Sequence, residues 1–343
     1  MAFLSYLHRA ANRENLSAAD AESAMALILN GEATTPQVAA FLVALRMKGE
    51  SPDELIGFAR AMRAKAARVR GPDGEVLLDT CGTGGDGLSS FNISTVAAFV
   101  AAGAGVRVAK HGNRSISSRC GSADLLEELG VEVALEPAQV ETAIREAGIG
   151  FLFAPAFHPA MKHAQAARLE LRMRTVFNLL GPLTNPAGAT AQLVGAPSTQ
   201  AAELMAEALA RLGLQRGFVV HGSDGMDEIT TTGQTLVLEI ARGAIVHRPL
   251  TPADFGVPKA RAKDLKGGDR ATNARIALAV LAGERGPRRD IVLVNASAAL
   301  VAAGAAKTFA EGMELAAGSI DSGAAQRKLE ELVRCTRQLP RPA

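Results

Sequence analysis

Four groups of polar and glycine residues carry the chemistry that can be read from this sequence. The first is Asp79-Thr-Cys-Gly-Thr-Gly-Gly-Asp-Gly87, which follows a short apolar run and precedes hydroxyl-rich residues 89–95. Glycines let the backbone approach a ligand, and a helix N-terminus adds donors for a phosphate. The spacing fits neither the dinucleotide fingerprint nor the P-loop. It therefore indicates a different phosphate-binding loop, with a ligand-free tight turn as the alternative.

The second group is Lys110-His-Gly-Asn-Arg-Ser-Ile-Ser-Ser118, followed by Gly121-Ser-Ala-Asp124 at a predicted helix start. Two cations and several hydroxyls on one loop suit an oligo-anionic group such as pyrophosphate, because lysine and arginine both bind phosphate oxygens. A solvated basic turn is the alternative interpretation of this group.

The third group follows another apolar run and contains the adjacent carboxylates Asp227 and Glu228. Proteins often hold Mg²⁺ with one or two carboxylates, together with substrate phosphate oxygens and water. The pair therefore indicates a magnesium site, and the alternative is a dipeptide that is merely solvated.

The fourth group begins with His158-Pro-Ala-Met-Lys162 at a predicted helix start and ends at Arg168. The planar guanidinium of Arg168 can bind a substrate carboxylate, whereas a lone helical arginine usually belongs to a surface or interdomain ion pair. A structural role is the alternative for His158 and His163. Because all four groups follow predicted strands, together they favour one binding site over four unrelated turns.

The elements that must position these groups fall into two classes. Residues 1–70 contain apolar runs at helical spacing between start and stop signals, which predicts a small helical domain. The predicted helices run from Ser17 with Asp20 to Gly31, from Thr35 before Pro36 to Gly49, and onward from Ser51 with Pro52 and Glu54.

From about residue 76, short apolar runs alternate with helical stretches, which predicts an α/β fold with a mostly parallel sheet and helices on its faces. The predicted strands are 76–78, 106–109, 131–135, 150–153, 192–195, 218–221, 236–240 and 291–294. Ligands of such sheets bind outside the carboxyl ends of the strands.

We therefore predict two domains. The helical domain comprises residues 1–70 with a returning helical segment at about 165–187, and the α/β domain that binds donor and metal comprises 71–164 and 188–343. The Gly- and Pro-rich stretch from Asn178 to Pro186 is a predicted crossover and possible hinge between them.

Composition narrows the class of protein. The net charge of +2 comes from interspersed charges and gives no footprint for nucleic acid or an anionic membrane. Cys81, Cys120 and Cys335 lie far apart and favour a reducing compartment. Residues 291–306 are apolar but interrupted by Asn295 and Ser297, so we interpret them as a buried strand and helix. We predict a cytoplasmic protein that binds neither membrane nor nucleic acid.

Taken together, the motifs closely resemble the anthranilate phosphoribosyltransferase family, within the nucleoside-phosphorylase-like phosphoribosyltransferase class. The resemblance implies transfer of the 5-phosphoribosyl group from 5-phosphoribosyl 1-diphosphate (PRPP) to the amine of anthranilate, in tryptophan biosynthesis. It also implies a homodimer formed through the helical domain. The matching segments, in the family's order, are 82–86, 92–95, 110–114, 121–124, 158–162, 174–182 and 227–228.

The resemblance also assigns roles to single positions. Those expected around the donor are Gly82, Gly85, Asp86, Ser90, Asn92, Ser94, Thr95, Lys110, Asn113, Arg114, Ser118 and Ser122, and Ile93 and Gly112 complete the substrate-binding segments. Those expected to contact anthranilate are Gly82, His111, Asn113 and Arg168. Two Mg²⁺ ions are expected on Ser94, Asp227 and Glu228. Two departures from the family pattern are Ser90, where threonine is frequent, and Met173, where glycine is usual.

These assignments predict a mechanism that depends on charge and placement. Lys110 and Arg114, with Mg²⁺, are expected to neutralise the departing pyrophosphate, which supplies most of the catalysis. Arg168 and Asn113 are expected to place an amine that is already neutral, so no dedicated nucleophile is needed. Closure of the helical domain about residues 181–186 is expected to exclude water. The alternative functions are a pyrimidine-nucleoside phosphorylase and a nucleic-acid-binding paralogue that has lost the transferase reaction.

Overall fold

A computed structural model of the chain describes residues 2–72, 74–84, 88–115 and 119–339. The predicted site residues Gly85, Asp86 and Ser118 lie outside the described residues. The chain begins with four helices, α1 (Ala2–Ala11), α2 (Ala18–Leu29), α3 (Thr35–Lys48) and α4 (Pro52–Lys65).

The helix starts follow the predicted cap chemistry, with one shift. Ser17 caps α2, and Ser51 and Glu54 form a capping box at α4. Helix α3 begins at Thr35, but the predicted cap at Thr35 is wrong by one residue. Thr34 is the N-cap, because its hydroxyl accepts from the backbone N–H of Gln37 and its own N–H donates to the Gln37 side chain.

A seven-stranded sheet in the order β3-β2-β1-β4-β5-β6-β7 forms the centre of the molecule. Strands β1 to β5 are parallel, whereas β6 and β7 are antiparallel additions at one edge, which confirms the mostly parallel α/β fold. The strands are β1 (Leu77–Gly82), β2 (Arg107–Gly112), β3 (Ile149–Phe153), β4 (Ala191–Gly195), β5 (Arg216–Gly222), β6 (Thr235–Ala241) and β7 (Ala244–His247).

The order of the strands reverses between β1 and β4. From β1 the chain continues outward to β2 and β3, and it then returns to the other side of β1 to form β4. Connections leave β1 and β4 in opposite directions, which opens a crevice at their carboxyl ends. The fold therefore predicts a binding site at this switch point.

Helices cover both faces of the sheet. They are α5 (Ile93–Gly103), α6 (Ser122–Glu128), α7 (Pro137–Ala147), α8 (Ala154–Phe157), α9 (Lys162–Leu171), α10 (Val176–Leu180), α11 (Thr199–Arg211), α12 (Arg270–Leu281), α13 (Pro287–Ala302), α14 (Phe309–Asp321) and α15 (Ala324–Gln338). On one face α13 packs against α5 and α14. On the other, α11 joins the sheet to α4 in one continuous core.

Helices α9 and α10 lie in the predicted returning segment and pack against α2, α3 and α4. The small N-terminal helical domain is thereby extended by a later part of the chain. The residue boundaries between the two domains stay a prediction.

Two predicted strands are wrong. Residues 131–135 have alternating burial but pair with no described strand. The N–H of Glu132 instead donates to the hydroxyl of Thr336 on α15, at 3.2 Å. Residues 291–294 lie within α13, so the stretch we interpreted as a strand followed by a helix begins inside one helix. A short buried apolar run does not distinguish a strand from a helix by periodicity.

Strand β7 was not predicted, because it is short and its side chains are mostly exposed. The turn before it supplies the missing signal. Arg242 and Gly243 both have positive φ, at 49° and 81°, as a two-residue hairpin turn requires. No helix in the described part of the chain is long and apolar enough to cross a membrane.

Candidate active site

Two paired glycines at the switch point make room for the Asp227 segment. Gly82 at the end of β1 lies opposite Gly195 at the end of β4. A Cβ on Gly82 would lie 2.7 Å from Oδ2 of Asp227, and a Cβ on Gly195 would lie 1.7 Å from its backbone oxygen. Both positions therefore require glycine while Asp227 keeps its place. Gly195 was missed from the sequence, where its only signal was a glycine that ends a strand.

The two adjacent carboxylates are bound to the backbone that follows β1. Oδ2 of Asp227 accepts a hydrogen bond from the N–H of Gly84, at 2.8 Å. Oε1 of Glu228 accepts one from the N–H of Ser94, at 3.0 Å, in the first turn of α5. The structure thus brings the first and third predicted groups together, although they are far apart in sequence.

Lys110 connects β2 to the same place. Its side chain is buried, and Nζ donates to the backbone oxygen of Thr80 and to Oγ of Ser94, the latter at 3.4 Å. Burial lowers the pKa of Lys110, and the nearby Asp79 carboxylate opposes that shift. The ammonium group therefore lies beneath the loop that joins β1 to α5, beside the hydroxyl of Ser94.

The donor atoms at this place suit a hard divalent cation. Asp227 and Glu228 supply carboxylate oxygens and Ser94 supplies a hydroxyl, all of which Mg²⁺ accepts. Among the described residues, no group of three or more His, Cys, Asp or Glu side chains could hold a metal ion. The residues present therefore fit Mg²⁺ that completes its coordination with substrate oxygens and water.

The start of α5 is fixed by an amide pair. Nδ2 of Asn92 donates to the backbone oxygen of Cys120 at 3.1 Å, and its Oδ1 accepts from Nδ2 of Asn273 at 2.9 Å. The side chains of Ile93 and Thr95 are buried in the core. Their backbone N–H groups donate to the backbone oxygens of Phe91 and Asn92, within the turn that begins α5.

Arg114 is held by acidic partners on α6. Its guanidinium contacts both carboxylate oxygens of Glu127, at 2.6 and 2.5 Å, and Oδ1 of Asp124 at 3.3 Å. The pKa of Arg114 is raised, mainly by the hydrogen bond to Glu127. Arg270 of α12 shares Asp124, at 2.6 Å. Arg114, which is predicted to bind pyrophosphate, is thus held within the protein by ion pairs to the buried Asp124 and the partly exposed Glu127.

The neighbouring residues shape the loop that carries Arg114. Oδ1 of Asn113 accepts from the N–H of Arg114 at 2.7 Å, and its backbone oxygen accepts from Oγ of Ser122 at 3.2 Å. A Cβ on Gly112 would lie 2.3 Å from Oγ of Ser122, so this close approach requires glycine. Ser90 lies at the other loop, where it forms an isolated bridge with Lys266.

His111 and His158 form a buried pair with ring centroids 5.2 Å apart. Burial lowers the pKa of His111 to about 3 and that of His158 to about 4, so both are neutral at pH 7. Nδ1 of His111 lies 3.0 Å from the backbone oxygen of Gly181, which makes Nδ1 the protonated nitrogen. Within the described part of the chain, Nε2 of each ring is buried without a hydrogen bond.

Arg168 projects from α9, half-buried, with its guanidinium 5.1 Å from the ring centroid of Phe177. Burial lowers the pKa of Arg168. Among the described residues, no carboxylate lies within ion-pair distance of this guanidinium. The side chain therefore suits an anionic ligand better than an interdomain ion pair.

The crossover after α10 is bound to both parts of the molecule. Nδ2 of Asn185 donates to Oδ2 of Asp79 at 2.8 Å, and Oδ1 of Asp79 accepts from the N–H of His111 at 3.1 Å. Nε of Arg63 in α4 donates to the backbone oxygen of Leu183 at 2.7 Å. Asn185 and Arg63 were not predicted as site residues, and the contacts of Asp79, which begins the first predicted group, were not predicted either, because the partners come from distant parts of the sequence.

Sequence profiles of two domains match the chain in succession. The profile described as "Glycosyl transferase family, helical bundle domain" matches residues 4–66. The profile described as "Glycosyl transferase family, a/b domain" matches residues 74–326. These two matches follow the order of the helical and α/β parts of the fold.

Curated relatives match over nearly the whole chain. The anthranilate phosphoribosyltransferase of Solibacter usitatus is 66% identical over 333 residues, which cover 97% of this chain and 98% of that protein. The anthranilate phosphoribosyltransferase of Moorella thermoacetica is 57% identical over 320 residues, 93% of this chain and 94% of that protein.

Solved structures show the same fold. The anthranilate phosphoribosyltransferase of Thermus thermophilus superposes with a TM-score of 0.91 at 47% identity, covering 97% of this chain and 99% of that chain. The Saccharomyces cerevisiae enzyme in complex with PRPP and Mg gives 0.90 at 31% identity, covering 98% of each chain. The yeast enzyme in complex with 4-fluoroanthranilate gives 0.87 at 30% identity, again covering 98% of each.

Proposed function

The chain belongs to the anthranilate phosphoribosyltransferase family, and we propose that its donor and metal site lies at the switch point between β1 and β4. The enzyme transfers the 5-phosphoribosyl group of PRPP to the amine of anthranilate in tryptophan biosynthesis, giving N-(5-phosphoribosyl)anthranilate and pyrophosphate. The placement of the site rests on the space that Gly82 and Gly195 leave for the Asp227 segment.

The donor binds across the loops that follow β1 and β2. We place the phosphates at the N-terminal end of α5, where the helix dipole favours negative charge. Lys110 supplies positive charge from below, and Arg114 supplies it from the second loop. The proposed donor ligands are Gly82, Gly85, Asp86, Ser90, Asn92, Ile93, Ser94, Thr95, Lys110, Gly112, Asn113, Arg114, Ser118 and Ser122.

The enzyme uses Mg²⁺, and we place two ions per subunit on Ser94, Asp227 and Glu228. The yeast relative in complex with PRPP and Mg supports the choice of metal. When bound, Mg²⁺ neutralises negative charge that develops on the departing pyrophosphate. The carboxylates accept hydrogen bonds from the backbone N–H groups of Gly84 and Ser94, and these bonds orient them for metal binding.

Anthranilate binds on the side of the crossover. Arg168 receives its carboxylate, and Asn113, His111 and the backbone of Gly82 surround its amine. Since Nδ1 of His111 donates to Gly181, its neutral ring offers Nε2 as an acceptor. The amine of anthranilate is already neutral, so these residues place it and no protein nucleophile takes part.

Two larger features complete the proposal. The helical domain closes over the α/β domain about residues 181–186, and equal scattering curves with and without both ligands would exclude this motion.

The enzyme is a cytoplasmic homodimer formed through the helical domain. An apolar groove between α1, α3 and α9 supports the dimer, since it is lined by Ala10, Ala40, Val43 and Leu171 and edged by Met47, which is 72% exposed.

The test follows the loss of anthranilate fluorescence when purified protein is mixed with PRPP and Mg²⁺. We expect metal-dependent loss that Asp227→Asn and Glu228→Gln each reduce at least about 100-fold, because each removes charge that stabilises the transition state. Asp264→Asn is the matched control, because Asp264 is a partly buried carboxylate that pairs with Arg261, and this variant should retain full activity. Full activity in the two site variants would refute the metal site, whereas no reaction by folded wild-type protein would refute the activity itself.

A further inference from the structure

One buried amide in the core has no role in the site described so far. Asn295 lies in the middle of α13, among mostly apolar side chains, and its side chain is fully buried. Burying an amide is costly unless its donors and acceptor are all satisfied. A polar residue in this helix therefore needs a specific partner.

That partner is the residue next to Glu228. Oδ1 of Asn295 accepts from the N–H of Ile229 at 2.9 Å, and Nδ2 donates to the backbone oxygen of Ile229, also at 2.9 Å. A second hydrogen bond from Nδ2 reaches the backbone oxygen of Ile291, at 2.9 Å, within α13. The amide thus binds both backbone groups of Ile229, as a neighbouring β-strand would.

The Ile229 side chain anchors the same point in the core, where it is 1% exposed. On the other side of the loop, Asp227 and Glu228 reach the backbone of Gly84 and Ser94. The carboxylates are therefore held between the loop after β1 and a fixed point on α13. Any movement of Ile229 also displaces Glu228, because the two residues are adjacent in the chain.

We infer that Asn295 is a positioning residue for the metal-binding carboxylates, acting through the backbone of Ile229. This inference rests on the proposed metal role of Asp227 and Glu228. Residues that orient metal ligands without touching the metal commonly change metal affinity by about 10- to 100-fold when they are replaced. Asn295 would do so from the core, where it contacts neither substrate nor metal.

The experiment measures the binding of Mn²⁺ by electron paramagnetic resonance, in the presence of PRPP, for wild type, Asn295→Ser and Asn295→Leu. We expect Mn²⁺ affinity to fall at least about 10-fold in both variants. Ser297→Ala is the control, because Ser297 is equally buried on α13 but its hydroxyl bonds to Phe309 of α14, at 2.7 Å. It should bind Mn²⁺ as the wild type does, even where it lowers the melting temperature.

Asp227→Asn separates the two ideas. If it leaves Mn²⁺ affinity unchanged, the proposed metal site is wrong. If it abolishes binding while folded Asn295→Ser binds like the wild type, the positioning role alone is wrong. Should both Asn295 variants unfold, hydrogen exchange of the Ile229 amide in the wild type decides. Slow exchange in the absence of metal agrees with a stable hydrogen bond between Asn295 and Ile229. Exchange at the rate of an exposed loop overturns the positioning role.

Discussion

The two sides of the site are built differently. On the proposed metal side, which comprises Gly82, Gly84, Ser94, Gly195, Asp227 and Glu228, the carboxylates accept backbone hydrogen bonds from other segments. On the proposed acceptor side, which comprises His111, His158, Arg168, Phe177 and Gly181, the Nε2 atoms of both histidines are buried without a hydrogen bond among the described residues. Because unsatisfied buried polar groups are costly, the comparison indicates that the protein completes the metal side itself and leaves the acceptor side for a ligand to complete.

The largest effect should come from filling the space on the metal side. In Gly195→Ala the new Cβ would lie 1.7 Å from the backbone oxygen of Asp227, so the Asp227 segment must move. We expect activity to fall at least about 100-fold, since small displacements of catalytic groups have effects of this size. Overpacking should also lower the free energy of unfolding by about 1–3 kcal/mol. Steady-state kinetics and urea unfolding measure the two effects.

A glycine with open space provides the control. Gly318 lies in α14, and a Cβ there meets no atom within 4 Å. Gly318→Ala should leave activity unchanged and raise the free energy of unfolding by up to about 1 kcal/mol, because alanine favours the helix. If Gly195→Ala kept wild-type activity, the metal side would be less rigid than the comparison states.

The sequence was sufficient to predict the fold class and the strand ends at which we propose the site. This was possible because local signals suffice there: capping residues begin α2 and α4, and glycines and hydroxyls follow β1. It did not show that residues 291–294 are helical and do not form a strand. A buried apolar run without a polar face, as in α13, has the same pattern in either structure.

The supporting residues were beyond prediction for another reason. Asp79 meets Asn185, Asp227 meets Gly195, and Ile229 meets Asn295 only after the chain has folded. Nothing local in the sequence distinguishes Asn185 or Gly195 from ordinary polar or glycine positions. Asn295 had one sequence signal, as an interruption in an apolar run, but that signal does not identify its partner.

On the acceptor side, Arg168 provides the next largest effect. Arg168→Ala should raise the KM for anthranilate about 10- to 100-fold, because a hydrogen bond to a charged group contributes about 1.5–3 kcal/mol. Arg168→Lys should fall between, since lysine keeps the charge but loses the planar contact with Phe177. The KM for PRPP should not change. Arg172→Ala is the control, because Arg172 is exposed. If Arg168→Ala raised the KM for PRPP alone, Arg168 would belong to the donor side of the site and not to the acceptor side.

Acidity provides a second test of the acceptor side. The pKa values of His111 and His158 fall from 6.5 to about 3 and about 4, so the unfolded chain binds protons that the folded protein does not. Stability from this source is present above pH 6.5 and is lost as the pH falls towards 4. Each histidine should contribute a slope of up to about 1.4 kcal/mol per pH unit to the free energy of unfolding.

Urea unfolding between pH 7.5 and 5 measures this slope. His158→Asn should have a shallower slope than the wild type, because one of the two buried rings is gone. Because His158 also lowers the pKa of His111, the difference between the two slopes reports on the buried histidine pair. Equal slopes would mean that His158 is not held neutral, and the acceptor side would then be more open to water than its burial indicates.

The smallest effect concerns Arg114. Its ion pair with Glu127 lies within the protein, as on the proposed metal side, but it is exposed and can open for a ligand, as on the proposed acceptor side. The pair is exposed, with 43% and 31% of the two side chains accessible, so breaking it should cost only about 0.2–1 kcal/mol. If Arg114 must leave Glu127 to reach pyrophosphate, Glu127→Gln removes that cost and lowers the KM for PRPP by about two- to fivefold. The exposed neighbour Glu128→Gln should have no effect. A higher KM in Glu127→Gln would mean that Glu127 supports Arg114 where it already lies, and the donor loop would then be preassembled like the metal side.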